Sequence, residues 1–309
     1  MMRVSTTSSF DRVTLRLDAL QADSDALLAQ IATGKRLVSP ADAPADAAQV
    51  SRIARSLAEH AQSVRNIDTA ATRLTLGDAA LQDAGSVLDR AREVALAVVG
   101  DVANTADRAS AAAELAQLSD QLLTTANSRS SGGDWLFSGA RGNHIAYVRD
   151  AAGLVTWQGA GLAPVVPLGS GRTVIAAEPA SGIFENIPTD SGTTSAFALI
   201  DELRLALTDG ALGTEARRTA LGQSISGLER ASDQVGNARA RFGARLAALD
   251  TERISLGTAD VELAARRGTL EDTDISVAAV SLSRAQLLLQ ATRDTFARIG
   301  SLSLFDSLR

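Results

Sequence analysis

The chain contains no cysteine, only two histidines and a single lysine among its 309 residues. The absence of cysteine excludes a disulfide scaffold, thiolate zinc sites and a cysteine nucleophile. His60 and His144 lie far apart in the sequence, which excludes a histidine-rich metal site within one chain. Lys35 is the only lysine, and the formal net charge of −6 disfavours a nucleic-acid-binding protein.

Long apolar runs and catalytic motifs are also missing. No stretch approaches the roughly 18 uninterrupted apolar residues of a membrane-spanning helix, so we expect no membrane insertion. The first residues lack the apolar segment and cleavage site of a signal peptide. Glu59-His60 lacks the second histidine of a helical zinc-protease motif, and no serine occupies a nucleophile elbow. The sequence therefore predicts no catalytic residues, no cofactor and no metal site.

Proline is scarce, and its placement divides the chain. No proline occurs between Ala45 and Gly161 or after Pro188, so two long regions are free of the strongest helix breaker. The segment from about 131 to 192 is instead rich in glycine, proline and threonine. These contrasts predict helical terminal regions that flank a β-rich and loop-rich middle.

Heptad spacing of apolar residues indicates a narrow helical seam at each end of the chain. The N-terminal seam ends at Thr33-Gly34, which is a typical helix stop. Its positions are Phe10, Val13, Leu17, Leu20, Ser24, Leu27 and Ile31. The C-terminal seam follows 271–274 and comprises Ile275, Ala278, Leu282, Ala285, Leu289, Thr292, Phe296 and Ile299.

Two longer seams predict the helices of the body, one over about 45–99 and one over about 221–270. Asn104 or Thr105 is a candidate N-cap for a further helix that ends near Ser130. The first long seam includes Ile67, Ala71, Leu74, Asp78, Leu81, Gly85, Leu88, Arg92 and Ala95. The second includes Leu221, Ile225, Leu228, Ser232, Val235, Arg239, Phe242, Leu246 and Leu249. Its register slips by one at 271–274, which indicates either a break or a stutter in one continuous helix.

Short runs typical of β-strands occupy the middle of the chain, at 135–137, 145–148, 154–157 and 173–175. The sequence between the second and third of these runs, residues 150–153, is suited to a hairpin turn. We therefore expect a β-hairpin there.

The terminal seams form the candidate assembly interface. An isolated helix of this length is marginal in water, and an exposed apolar seam favours association. We expect the terminal segments to be mobile in the monomer and to order when copies of an elongated subunit stack into a ring or tube. The candidate interface residues are Phe10, Val13, Leu17, Leu20, Leu27, Ile31, Ile275, Leu282, Leu289, Phe296, Ile299, Leu304 and Phe305.

Five segments together resemble the FlgL-type hook–filament junction family within the flagellin superfamily. They are the start of the chain up to Phe10, 33–44 (TGKRLVSPADAP), 88–95 (LDRAREVA), 126–139 with Ala-Asn before WLFSG, and the ending 301–308 (SLSLFDSL). The chain departs from the family pattern at Ala41 and Ala43, and Trp135 replaces the usual tyrosine. The resemblance covers about 1–140 and 220–309.

The resemblance implies a mainly α, flagellin-like fold. A long antiparallel helical bundle would be formed by the N- and C-terminal segments, with a β-hairpin and a small β-rich central domain. Residues 1–40 and 272–309 would form paired terminal helices, the inner assembly core. Residues 41–160 and 212–271 would form a long-helix body, and 161–211 a small outer domain.

The resemblance also implies a role and partners. The protein would be an extracellular structural subunit of the bacterial flagellum, exported without a cleaved signal peptide. It would join the hook to the filament, in contact with copies of itself, another hook-associated protein, flagellin and an export chaperone.

Three alternatives are weighed against this interpretation. The nearest is flagellin itself, although the ending at 303–306 favours the junction family. An enzyme with a helical body is opposed by the lack of a convergent set of catalytic side chains. A self-standing coiled-coil scaffold is opposed by the non-helical middle.

Overall fold

The computed structural model describes residues 3–99, 104–161, 165–169, 171–190 and 192–307. Two compact units divide the chain. Unit 1 comprises Met1–Ala58 and Thr258–Arg309, and unit 2 comprises Glu59–Gly257. The division of the chain into three domains that the sequence analysis suggests stays a prediction.

The described residues are mainly helical, as the sequence predicts. The helices are α1 (Arg3–Thr33), α2 (Pro44–Val98), α3 (Thr105–Ala126), α4 (Ala196–Thr208), α5 (Thr214–Glu271) and α6 (Ile275–Ser307). The strands are β1 (Tyr147–Arg149), β2 (Val155–Trp157), β3 (Val165–Gly169), β4 (Arg172–Ile175), β5 (Ile187–Thr189) and β6 (Gly192–Thr194). The sequence analysis did not anticipate α4.

Local chemistry explains where the helices begin and end. Gly34, at φ +69°, follows the last residue of α1 in the left-handed conformation that glycine adopts without steric cost. Asn104 caps α3, because its side-chain oxygen accepts hydrogen bonds from the backbone N–H groups of Ala106 and Asp107. Asp274 does the same for Ser276 at the start of α6. The slip at 271–274 is therefore a break between two helices, and not a stutter.

Helices α2 and α5 pack side by side and antiparallel in unit 2. Arg239 of α5 pairs with Asp78 of α2, with 3.0 Å between Nε and Oδ1. The hydroxyl of Ser232 donates to Asp89 at 3.0 Å. Since the α5 numbers fall as the α2 numbers rise, the two helices run in opposite directions. The buried apolar residues of α2 from Ile67 onward and those of α5 belong to the core cluster of unit 2.

In the parts of the two long seams at 67–95 and 221–242, every second predicted position was wrong by one residue. Ile67, Leu74, Leu81, Leu88 and Ala95 are buried, as predicted. The positions between them that are buried are Ala70, Gly77, Ala84 and Ala91, and not Ala71, Asp78, Gly85 and Arg92. On α5 the same correction replaces Ile225, Ser232 and Arg239 with Ser224, Ala231 and Ala238. The corrected register moves Asp78 and Arg239 to the edge of the core seam, where both side chains are partly exposed and pair with each other.

Three two-stranded antiparallel hairpins make up the strand content of the described residues. The predicted hairpin is present, with Tyr147 paired to Trp157 and Arg149 paired to Val155. Its turn is closed by Asp150, whose carboxylate accepts from the N–H of Leu154 at 2.9 Å. The predicted strand at 135–137 is absent. Trp135 makes only an isolated bridge there.

Four of the ten aromatic side chains gather in one cluster in unit 2. Phe137, Tyr147, Phe184 and Phe197 are each buried to within 1% of complete. The closest pair, Tyr147 and Phe197, has ring centroids 4.9 Å apart. Phe197 belongs to α4, which packs against α3. The cluster thus fixes the helix that the sequence analysis missed onto the body of unit 2.

Candidate assembly surface

Helices α1 and α6 pack against each other within unit 1. Side chains of one face of each helix meet at this contact, and Arg293 of α6 donates to Gln21 of α1 at 3.1 Å. Ser24, Ala278 and Ala285 are buried there. The pair therefore forms within one chain along the two seams that the sequence indicates.

The predicted interface residues fall into three groups. Those that are partly buried along the seams are Val13, Leu17, Leu20, Leu27, Ile31, Leu282, Leu289 and Phe296. Ile275 is 56% exposed at the start of α6. The side chains of Phe10, Ile299, Leu304 and Phe305 lie outside the part of the chain whose side chains the structure describes. The role of all these residues in assembly stays a prediction.

A second apolar surface, absent from the sequence-based list, lies on α6. It consists of Val277, Val280, Leu287 and Leu288, and we call it the outer face. Val280 is 71% exposed and Leu287 is 69% exposed. At about 100° per residue, these two lie on the side of α6 opposite the seam residues Ala278 and Ala285. Val280 and Leu287 are seven residues apart, and each follows a seam residue by two positions. This second heptad spacing is the sequence signal for the outer face.

The segment 33–44 brings the end of α1 to the end of α5. The N–H of Arg36 donates to the carbonyl of Glu271 at 2.7 Å, and the N–H of Thr273 donates to the carbonyl of Gly34 at 3.0 Å. The ammonium of Lys35 pairs with the Glu271 carboxylate at 2.5 Å. This hydrogen bond from Lys35 is the main reason that the pKa of Glu271 lies below its usual value.

Two further sequence motifs fasten the parts of unit 2 together. The side chain of Asn127 donates to the carbonyl of Tyr147 and accepts from its N–H, both at 2.9 Å. This reciprocal pair ties the end of α3 to the hairpin. Arg90 of α2 bonds Glu114 of α3 at 2.7 Å on the exposed surface. These contacts lie within unit 2. They give the Ala-Asn and 88–95 segments a structural role that involves no catalysis.

The described residues contain neither a metal centre nor a membrane-spanning helix. No three histidine, aspartate or glutamate side chains there form a group suited to hold a metal ion. Among the same residues, no helix is long and apolar enough to cross a membrane.

Comparison with known proteins connects this helical arrangement to the flagellum. The family model for the bacterial flagellin N-terminal helical region matches residues 4–141. Flagellar hook-associated protein 3 of Salmonella typhimurium is 26% identical, over 98% of this chain and 99% of that protein. Residues 4–141 thus match the flagellin N-terminal helical region, and nearly the whole chain is similar to flagellar hook-associated protein 3.

Two solved structures of such proteins are similar to this chain in fold. Flagellar hook-associated protein 3 from Legionella pneumophila superposes with a TM-score of 0.67 at 14% identity, over 72% of this chain and 98% of that one. FlgL of Xanthomonas campestris gives 0.60 at 19% identity, over 66% and 99%. These two structures show that the chain shares their mainly helical fold.

Proposed function

We propose that the chain joins the flagellar hook to the filament and assembles through α1 and α6. The similarity to hook-associated protein 3 runs over nearly the whole chain, 33–44 resembles the flagellin-superfamily segment, and 301–308 resembles the junction-family pattern. In this proposal the paired terminal segments, 1–40 and 272–309, form the inner core of the assembly. Residues 41–160 and 212–271 form the long-helix body, and 161–211 form the small outer domain.

The observation that carries the proposal is the outer face of α6. Its four large apolar side chains are exposed although the seam of the same helix already packs on α1. Such a face costs solubility in a monomer and is stabilised when another surface covers it. We infer that neighbouring copies cover it in a ring, with α1 contributing Leu15, which is also exposed.

The remaining partners follow from the position at a junction. One end of the ring would contact another hook-associated protein, and the other end would contact flagellin. A chaperone would hold the apolar terminal helices before export, which would proceed to the outside of the cell without a cleaved signal peptide. None of these steps requires a cofactor or a nucleic acid.

The alternative function is that of a flagellin, the repeating subunit of the filament. The N-terminal family match fits both, since it describes a flagellin helical region. The two functions differ in stoichiometry. Quantitative mass spectrometry of purified flagella, calibrated against the hook and filament proteins, separates them. A copy number close to that of another hook-associated protein supports the junction. A chain that dominates the preparation is a flagellin, and a chain absent from flagella refutes both.

Assembly through the outer face has its own test. Leu287→Asp places a charge on that face, away from the α1 seam, and we expect it to abolish incorporation into flagella while α1 and α6 stay paired. Gln290→Asp is the matched control, because it adds the same charge at an exposed position outside the outer face. Leu289→Asp alters the half-buried seam and should weaken the α1–α6 pair as well. Normal incorporation of Leu287→Asp would contradict the proposal.

A further inference from the structure

Two chain connections lie side by side in unit 1. One leads from α1 to α2 and begins at Gly34, and the other leads from α5 to α6 through 272–274. They are joined as in a short antiparallel ladder, since Lys35 forms a bridge with Asp272. The terminal helices are thus reached through two non-helical connections that are bonded to each other.

Ionic contacts surround this ladder and converge on one carboxylate. Glu271 receives Lys35 on one oxygen, and on the other it receives Arg267 with 3.1 Å between Nε and Oε2. The Glu271 side chain is only 15% exposed, whereas that of Lys35 is 48% exposed. A largely covered carboxylate that is shared by two cations is stabilised more than one exposed surface pair would be.

Arg36 adds a second fastening to the same place. One of its terminal nitrogens lies 2.7 Å from the carbonyl of Leu270, at the last turn of α5, and 2.7 Å from Asp46, in the first turn of α2. The carbonyl of Leu270 is one of the last of its helix and has no partner further along α5. Arg36 therefore satisfies the end of one helix while it is held by the start of another.

We propose that residues 34–36 and 267–273 form a latch, which makes α1 and α6 move as one body. Without the latch, only the packing of α1 on α6 would couple a hinge at Gly34 to a hinge at 272–274. With the latch closed, rotation of one terminal helix requires rotation of the other. This assigns a mechanical role to the TGKR part of the segment 33–44, which the proposed function leaves unexplained.

The first experiment measures opening of the latch by hydrogen exchange in the full-length chain. Lys35→Met and Glu271→Gln each remove one charge at nearly constant size. We expect exchange to accelerate about fivefold in peptides covering 34–37 and 271–274, as loss of one partly covered ion pair allows. Lys35→Arg keeps the charge and should stay within twofold of the unaltered chain. Glu215→Gln, at an exposed pair with Arg218 in α5, controls for charge alone.

The second experiment separates a latch from a merely local contact. Because the chain has no cysteine, spin labels can be placed solely at Leu28→Cys on α1 and Leu287→Cys on α6, both exposed positions. With the latch intact, we expect one narrow distance distribution, and with Lys35→Met a clearly broader one. A distribution that keeps its width while exchange accelerates would overturn the proposal, as would unaltered exchange.

A measurement on the unaltered sequence covers the case in which Lys35→Met fails to fold. At 1 M salt the screening length falls to about 3 Å, so the ionic part of the latch weakens without any substitution. We expect the distance distribution of the doubly labelled chain to broaden between 0.05 and 1 M sodium chloride. A width that does not depend on salt would refute the role of the ion pairs.

Discussion

The packing of α2 on α5 makes a sharp prediction about two glycines of the same helix. A Cβ added at Gly77 would lie 2.5 Å from Cε2 of Phe242, an aromatic ring that is 1% exposed, so the ring or the helix would have to shift. A Cβ added at Gly85 would lie 3.8 Å from Val235, an ordinary van der Waals distance. Gly77→Ala and Gly85→Ala therefore differ in packing while both replace a helical glycine with alanine.

The free energies can be worked out separately for the two terms. Alanine favours a helix interior over glycine by about 1 kcal/mol, so Gly85→Ala should raise the free energy of unfolding by about that amount. Overpacking a core costs about 1–3 kcal/mol, so Gly77→Ala should come out less stable than the unaltered chain by about 1 kcal/mol. The difference between the variants, about 2 kcal/mol, does not depend on the helix preference because that term is common to both.

Urea denaturation followed by tryptophan fluorescence is the assay. Both tryptophans, Trp135 and Trp157, lie in unit 2, so the signal reports the unit that contains this contact. If Gly77→Ala proved at least as stable as Gly85→Ala, the register of α2 against α5 described here would be refuted. Equal destabilisation by both would also refute it, because Gly85 would then face the core.

Three further outcomes are expected. Removal of residues 1–33 or 275–309 should leave the fluorescence midpoint unchanged and abolish assembly, since the core cluster of unit 2 uses buried residues from 67–249; a truncated chain that still enters flagella would contradict this. Asn104→Ala should lower the free energy of unfolding by about 1 kcal/mol in the same urea assay, because two N–H groups of α3 lose their acceptor; an unchanged midpoint would argue against the cap. Burial raises the pKa of Glu185, so the folded state favours the protonated form of this side chain. The free energy of unfolding that Glu185 contributes is therefore fully present below the usual glutamate pKa, and it is lost as the pH rises through the raised pKa. Glu185→Gln should remove this fall in thermal unfolding temperature, and an unaltered pH profile would exclude Glu185 as its source.

The helices that the sequence predicts most accurately are those with a chemical end signal. Thr33-Gly34 was predicted as a stop, and α1 ends at Thr33. The register slip at 271–274 left a break and a stutter open, and α6 begins at Ile275 after a break. In both cases a local backbone requirement, a left-handed glycine or an aspartate cap, fixes the boundary before any tertiary contact forms.

The errors arose where the deciding information is tertiary. A seam position three residues from a buried leucine and one four residues from it are equally compatible with a heptad, and the buried choices were alanines such as Ala84 and Ala231, which give a weak hydrophobic signal. Helix α4 was missed although it carries local signals, because 196–208 was assigned to the loop-rich middle of the chain. Phe197, Ile200, Leu203 and Leu207 repeat at helical spacing and are buried, and Ser195 is the N-cap.

The placement of Lys35 has a consequence for chemical labelling. It is the only lysine, and its ammonium is bonded to Glu271 in the closed latch. An amine-reactive ester can acylate this side chain only when the nitrogen leaves the carboxylate, and acylation then removes the charge that closes the latch. The rate at which the ester acylates Lys35 therefore measures how often the latch opens. This measurement uses a natural side chain and needs no engineered probe. For the same reason, a lysine-directed fluorescent dye would modify the latch between the terminal helices.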